Sequence, residues 1–215
     1  MRAFIAMCVL VSACGNENAG VEAAKKQADE EQAKKIAASP AKTITPPVPG
    51  RQKVPCSTLV DPAKYQAALG EKDPMTVLEE KGDGEAAASC SLVRGGKRPT
   101  PAEQAAMLKQ KSRLGVMNGD PTCTVTAYCW TIENLDRFKA KCKERKETDD
   151  QSMGTYACVQ TVATGEDDVQ VFRFFDEDTK CILQVRGGPS MVDNDYIRKC
   201  AITARDTIGP DQIKP

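Results

Sequence analysis

The chain contains no histidine. That absence excludes the Ser-His-Asp and Cys-His nucleophile arrangements and removes the imidazole ligands on which many zinc sites depend. No Cys-x-x-Cys pair occurs, so the common redox motif and the zinc knuckle are both missing. Neither sign of charge dominates: 30 Lys and Arg stand against 30 Asp and Glu. No basic surplus invites nucleic acid, and none is expected as a partner. Nowhere does an apolar run reach the roughly 20 residues that a membrane-spanning helix needs. Tryptophan occurs once, at Trp130, where its place beside Cys129 suits packing on a disulfide better than stacking on a ligand.

What is present starts at the N-terminus. Met1 and Arg2 lead into an apolar run of 11 residues, Ala3 to Ala13, which ends in Val11-Ser12-Ala13-Cys14. That length suits a signal-peptide h-region. An aliphatic residue and two small residues before cysteine resemble the lipobox of bacterial lipoproteins. The resemblance implies removal of residues 1–13 as a signal peptide and lipidation of Cys14, with palmitate as one acyl group. The bilayer is then a partner through Cys14, and the domain lies outside the cytoplasm in the cell envelope. Gly15 follows Cys14 where aspartate would signal inner-membrane retention, so the resemblance implies the outer membrane in a diderm organism.

Ten cysteines are present. Cleavage removes Cys8 and lipidation uses Cys14, which leaves Cys56, Cys90, Cys123, Cys129, Cys142, Cys158, Cys181 and Cys200. An even number in an exported domain without histidine reads as a disulfide framework rather than a metal site. No metal and no cofactor are expected.

Residues 14–53 read as a tether. Val21 to Ala38 is rich in Ala, Glu, Lys and Gln, with Glu22 four residues before Lys26 and Glu30 four before Lys34. Its few large apolar residues leave little to bury. Pro46, Pro47 and Pro49 stiffen the segment that follows, and helix plus linker would reach on the order of 80 Å.

The folded region is expected over 54–215. Asp61, Pro62 and Gly70 bound a short helix, and Thr100 with Glu103 forms a capping-box pair for a helix over 101–114. Residues 75–80 and 86–94 read as strands. So do 155–163, 168–175 and 180–186, joined by turns of hairpin composition into an antiparallel meander. Helices over 133–143 and 193–208 bracket that meander, each with a cysteine on its apolar face. The fold class is therefore α+β: an antiparallel sheet flanked by helices and stapled by disulfides. Cys142–Cys158 and Cys181–Cys200 would tie each helix to the sheet, although the swapped pairing also fits. Cys56–Cys90 and Cys123–Cys129 complete the candidate set among the 105 connectivities eight cysteines allow. The last pair requires a bend, because six extended residues span about 20 Å.

Cys90-Ser-Leu-Val-Arg-Gly-Gly96 is echoed by Cys181-Ile-Leu-Gln-Val-Arg-Gly-Gly188. Each is followed by a loop and a capped helix, which suggests two diverged αββα-like halves, 54–121 and 122–215. Arg94 and Arg186, each before a glycine pair, are candidate binding residues for an anionic ligand, with a strand-end arginine before a turn as the plainer reading. Acidic runs at Glu166-Asp167-Asp168 and Asp176-Glu177-Asp178 leave a carboxylate-pair hydrolase formally open, but hairpin tips are where solvated acids belong. No catalytic residue is assigned, and calcium at those tips lacks the glycine-centred loop of an EF-hand.

Pro55-Cys56-Ser57-Thr58-Leu59, the helix end Leu69-Gly70 and Cys90 at the head of a strand resemble the opening of uncharacterised actinobacterial envelope lipoproteins. Those have a further Cys-x-Trp downstream; here the tryptophan follows Cys129 directly. The resemblance implies an α+β binding or sensory domain. The expected function is thus a membrane-anchored envelope lipoprotein with a non-catalytic domain that binds an envelope protein, polymer or small ligand. A carboxylate-dependent envelope hydrolase and a structural spacer are the alternatives.

Overall fold

The computed structural model describes residues 52–213, apart from 112, 131–133 and 165–166. The signal segment 1–13, Cys14 and nearly all of the tether 14–53 lie outside the described residues. In chain order the elements are α1 (Cys56–Leu59), α2 (Pro62–Leu69), β1 (Thr76–Glu79), β2 (Ala88–Val93), α3 (Pro101–Gln110), β3 (Pro121–Tyr128) and α4 (Leu135–Glu144). Then follow β4 (Thr148–Asp150), β5 (Ala157–Thr164), β6 (Asp167–Asp176), β7 (Cys181–Gly187) and α5 (Asn194–Thr207). All seven strands form one antiparallel sheet in the order β1-β2-β3-β7-β6-β5-β4. The fold is α+β with four disulfides.

Local chemistry explains the helix ends. The Asp61 carboxylate accepts from the Ala63 N–H, Pro62 opens α2, and Gly70 closes it at φ 69°, a left-handed position that glycine adopts without steric cost. Thr100 and Glu103 make the full capping box of α3. That helix stops at Gln110, four residues short of the expected Leu114. It has no buried residue, so no packing extends it beyond its local signals.

Pairing register sorts the sheet into two faces. Cys90, Val125, Val185, Phe172 and Val159 lie in one row, and Ala88, Ala127, Leu183, Phe174 and Ala157 in the next. These apolar rows form the main core with Ile197, Cys200, Ala201 and Ala204 of α5 and with Tyr65 of α2. The opposite face carries Ser89, Thr126, Gln184 and Arg173 in one row and Ser91, Thr124, Arg186, Val171 and Gln160 in the next. One end of this polar face is covered by α4, where Phe138 and Cys142 pack on Cys158, Phe175 and Ile182 in a second, smaller core.

The disulfides fix that arrangement. Cys56 joins Cys90, Cys123 joins Cys200, Cys129 joins Cys181 and Cys142 joins Cys158. Two expected pairs are therefore corrected. Cys123–Cys129 fails because β3 runs unbroken from Pro121 to Tyr128, which puts its ends about 20 Å apart. Cys181–Cys200 fails because a helix advances about 1.5 Å per residue and a strand about 3.3 Å. Cys200, midway along α5, is still level with Gly187 and its partner Cys123, while Cys181 lies at the far end of β7. Cys129 follows Tyr128, which pairs with Ile182, so it arrives opposite Cys181.

The expected halves 54–121 and 122–215 share one sheet, in which β2 of the first pairs along its length with β3 of the second. Their matched helices also differ in place. α2 packs beside α5 in the main core, whereas α4 sits on the opposite face of the sheet.

β4, a short edge strand of acidic composition, is held from outside the sheet. Asp150 accepts from Arg198 of α5 at 2.6 Å and from the side chain and backbone of Ser152. Partial burial raises the Asp150 pKa, but the Ser152 and Arg198 bonds together outweigh it and hold the carboxyl below its ordinary value. Such a carboxyl stabilises the fold above its unfolded pKa of about 3.9 and loses that contribution as pH falls through its folded value. The stability gap between wild type and Asp150→Asn, measured by urea unfolding, should therefore be widest near neutrality and narrow on acidification below about pH 4. A gap independent of pH would show that Asp150 gains nothing from its charge.

Four disulfides fit an extracytoplasmic domain. Among the described residues, no helix is long and apolar enough to cross a membrane.

Candidate functional site

The polar face of the sheet, beside α4, holds two adjoining clefts. One, of about 530 Å³, is lined by Gln160, Arg173, Gln184, Tyr128, Asp83 and Arg145 among others. The second, of about 390 Å³, continues along β7 past Gln184 to Arg186, Thr126 and Ser89, with Lys81 and Glu80 at its rim. Gln184, Tyr128 and Asp83 belong to both, so the clefts form one continuous surface.

Alternation along the strands builds this surface. Residues two apart on a strand share a face, so Gln184 and Arg186 of β7 project together, as do Val171 and Arg173 of β6. Toward β2 and β3 the side chains shorten to hydroxyls. Ser89 Oγ lies 3.2 Å from Thr126 Oγ1 and Ser91 Oγ 2.7 Å from Thr124 Oγ1. All four residues are buried, and these cross-strand pairs satisfy their hydroxyls.

Arg173 is the hub. Its Nε donates to Gln184 Oε1 at 2.7 Å and its Nη2 to Gln160 Oε1 at 3.1 Å. Its Nη1 donates to Glu147, whose side chain is only 1% exposed. Burial lowers the guanidinium pKa, opposed by the charge of Glu147. A second arginine, Arg145, stands 4.0 Å from the same carboxylate. At the cleft edge, Tyr128 donates to Asp83 at 2.9 Å, and the backbone N–H groups of Glu85 and Ala86 donate to the other oxygen. Desolvation pushes the Asp83 pKa up, but these bonds together hold the carboxyl below its usual range. Burial and the Asp83 charge push the Tyr128 phenol up to about 12.

The two arginines singled out in sequence are not brought together. Arg94 donates from Nε and Nη2 to Glu71 Oε1 at 3.1 and 2.6 Å, and from Nη1 to the Val116 carbonyl at 2.9 Å. Tyr196 of α5 donates to the same Glu71 oxygen at 2.8 Å. Arg94 therefore spends its Nε, Nη1 and Nη2 donors on knitting three segments of the fold. Arg186 is exposed on the polar face and makes no hydrogen bond or ion pair among the described residues. The adjoining glycines serve packing: a Cβ at Gly95 would overlap the carbonyl of Pro74, and one at Gly188 that of Pro121.

The acidic hairpin tips hold no paired site among the described residues. Asp167 pairs with Arg113, and Asp176 accepts from the Thr179 hydroxyl and N–H within its own turn. Burial, relieved in part by Thr179, raises the Asp176 pKa; this carboxyl lines neither cleft. Cys142, Glu147 and Cys158 bring potential ligand atoms within 4.8 Å of one another, but both sulfurs are spent in a disulfide. Trp130 packs against the main core, with the Lys53 ammonium 5.2 Å from its ring centroid.

Sequence reasoning missed Gln160, Arg173 and Gln184. A signal for them existed in the two hairpins, since a short turn fixes the register of everything behind it. Comparison with protein-family models, with curated proteins and with solved structures finds no match to this chain.

Proposed function

We propose that this chain is an envelope lipoprotein whose domain acts by binding rather than by catalysis. In this reading residues 1–13 are removed, Cys14 carries the lipid, residues 14–53 form the tether and 54–215 is the working domain. Its ligand is an envelope protein, polymer or small molecule. One observation carries the binding reading: an open polar sheet face with contiguous clefts, floored by side chains that are held in place by one another. A carboxylate-pair hydrolase needs one carboxyl kept protonated beside an ionised one in the cleft. Asp83 is instead held ionised, and Asp176, whose pKa is raised, ends β6 and lines neither cleft. The use of all eight cysteines after Cys14 in disulfides supports export.

Two measurements test this. Growth with radioactive palmitate should label the wild-type chain and leave Cys14→Ser unlabelled; equal labelling of both sinks the anchor. The unanchored Cys14→Ser chain, mixed with washed envelope material, should be retained saturably. Absence of saturable retention overturns the binding reading.

A further inference from the structure

The orientation of two amides on the polar face is dictated by their neighbour. A guanidinium only donates hydrogen bonds, so the amide groups of Gln160 and Gln184 must turn their oxygens toward Arg173. Each amide nitrogen then faces away from Arg173 with two N–H donors, and neither nitrogen has a partner among the described residues. Arg186 lies two residues along β7 from Gln184. In the register it is separated from Gln160 only by Val171. Among the described residues it too has its donors unspent. Of the carboxylates around this patch, Asp83 is already occupied by Tyr128 and by the N–H groups of Glu85 and Ala86, while Glu80 and Glu85 stand at the cleft margins. Glu80 and Lys81 at the rim offset each other in charge.

We propose that Gln160, Gln184 and Arg186 form a donor-only site for an oxyanion, a carboxylate or phosphate group carried by the ligand of the polar face. The proposal rests on the binding reading and names the chemistry that the site would take. A neutral sugar fits it less well. Every hydroxyl must donate as well as accept, and Gln160, Gln184 and Arg186 present only donors, so hydroxyls seated on these three side chains would leave their protons unpaired. An oxyanion presents only acceptors, and the arginine fork can take two of its oxygens at once. Arg173 is a positioning residue here: it touches no ligand but fixes which way both amides point.

The test uses the full chain with ¹⁵N-labelled glutamine side chains, titrated at constant ionic strength with sodium phosphate and, separately, with sodium acetate. Saturating shifts of the Gln160 and Gln184 NH₂ signals are expected with at least one salt. Saturation with phosphate alone identifies a phosphate ligand, and with acetate a carboxylate. In Arg186→Met and in Gln184→Leu the affinity should fall by roughly tenfold or more, the scale of a lost charge-assisted bond. Arg98→Met, on an exposed arginine paired with Asp120, should change nothing. Both cleft variants alter side chains that are not fully buried, and an unchanged thermal midpoint checks that they fold. Shifts that stay linear with both salts, or saturation unaltered in Arg186→Met, overturn the site. Envelope retention is read separately. Retention without probe binding removes the oxyanion site and leaves the binding reading, whereas probe binding without retention does the reverse.

Discussion

Replacing Cys123 and Cys200 together by alanine should lower the stability of the domain by about 3.5 kcal/mol. The two residues are 77 apart in sequence, a separation that alone implies a larger entropic effect. Cys129–Cys181 is nested inside, however, and short-circuits the chain, so the loop actually released is roughly 25 residues long. Removing both nested bridges should therefore cost more than twice as much as removing one, because the first deletion lengthens the loop that the second releases. By the same reasoning the Cys142–Cys158 pair, 16 residues apart, is worth about 3 kcal/mol. Guanidinium unfolding of the three variants checks this order. Equal, additive losses would show that the bridges act through local packing of α4 and α5 and not through the unfolded chain.

Arg173→Ala should cost about 3 kcal/mol, near the lower end for breaking a buried ion pair. It strands the Glu147 carboxylate, whose side chain is 1% exposed and whose Oε2 has no hydrogen-bond partner. Arg145 at 4.0 Å offers partial compensation, which keeps the loss from being larger. Adding Glu147→Gln to the Arg173→Ala chain should recover part of the loss, because the amide removes the uncompensated charge. A loss below about 1 kcal/mol for Arg173→Ala would mean that water reaches Glu147, since that is the scale of an exposed pair.

Much of the fold is legible from residue patterns. The caps of α2 and α3, the apolar stripes of α4 and α5, and the β5–β6–β7 meander all follow local rules. β3 does not, although it lies in the middle of the sheet. Cys123, Val125 and Ala127 alternate with Thr124 and Thr126, but both sets are buried, so the usual contrast between a dry and a wet face is absent. β4 is hidden for the opposite reason: two of its three residues, Asp149 and Asp150, have little strand propensity and are held by Tyr156, Ser152 and Arg198. Arg186 announces itself through the repeated Arg-Gly-Gly word, whereas the two glutamines become legible only once three strands are in register.

The Cys56–Cys90 bridge has a mechanical consequence. Any pull on the domain from its N-terminal side reaches Cys56 and passes through sulfur into β2, a strand hydrogen-bonded on both edges. The 34-residue interval between them, with α2 and β1, is a covalently closed loop that bears no load and cannot be drawn out. Force is thus delivered to an interior strand as shear between β2 and its paired neighbour β3, and the helices nearest the N-terminal side of the domain cannot peel away first.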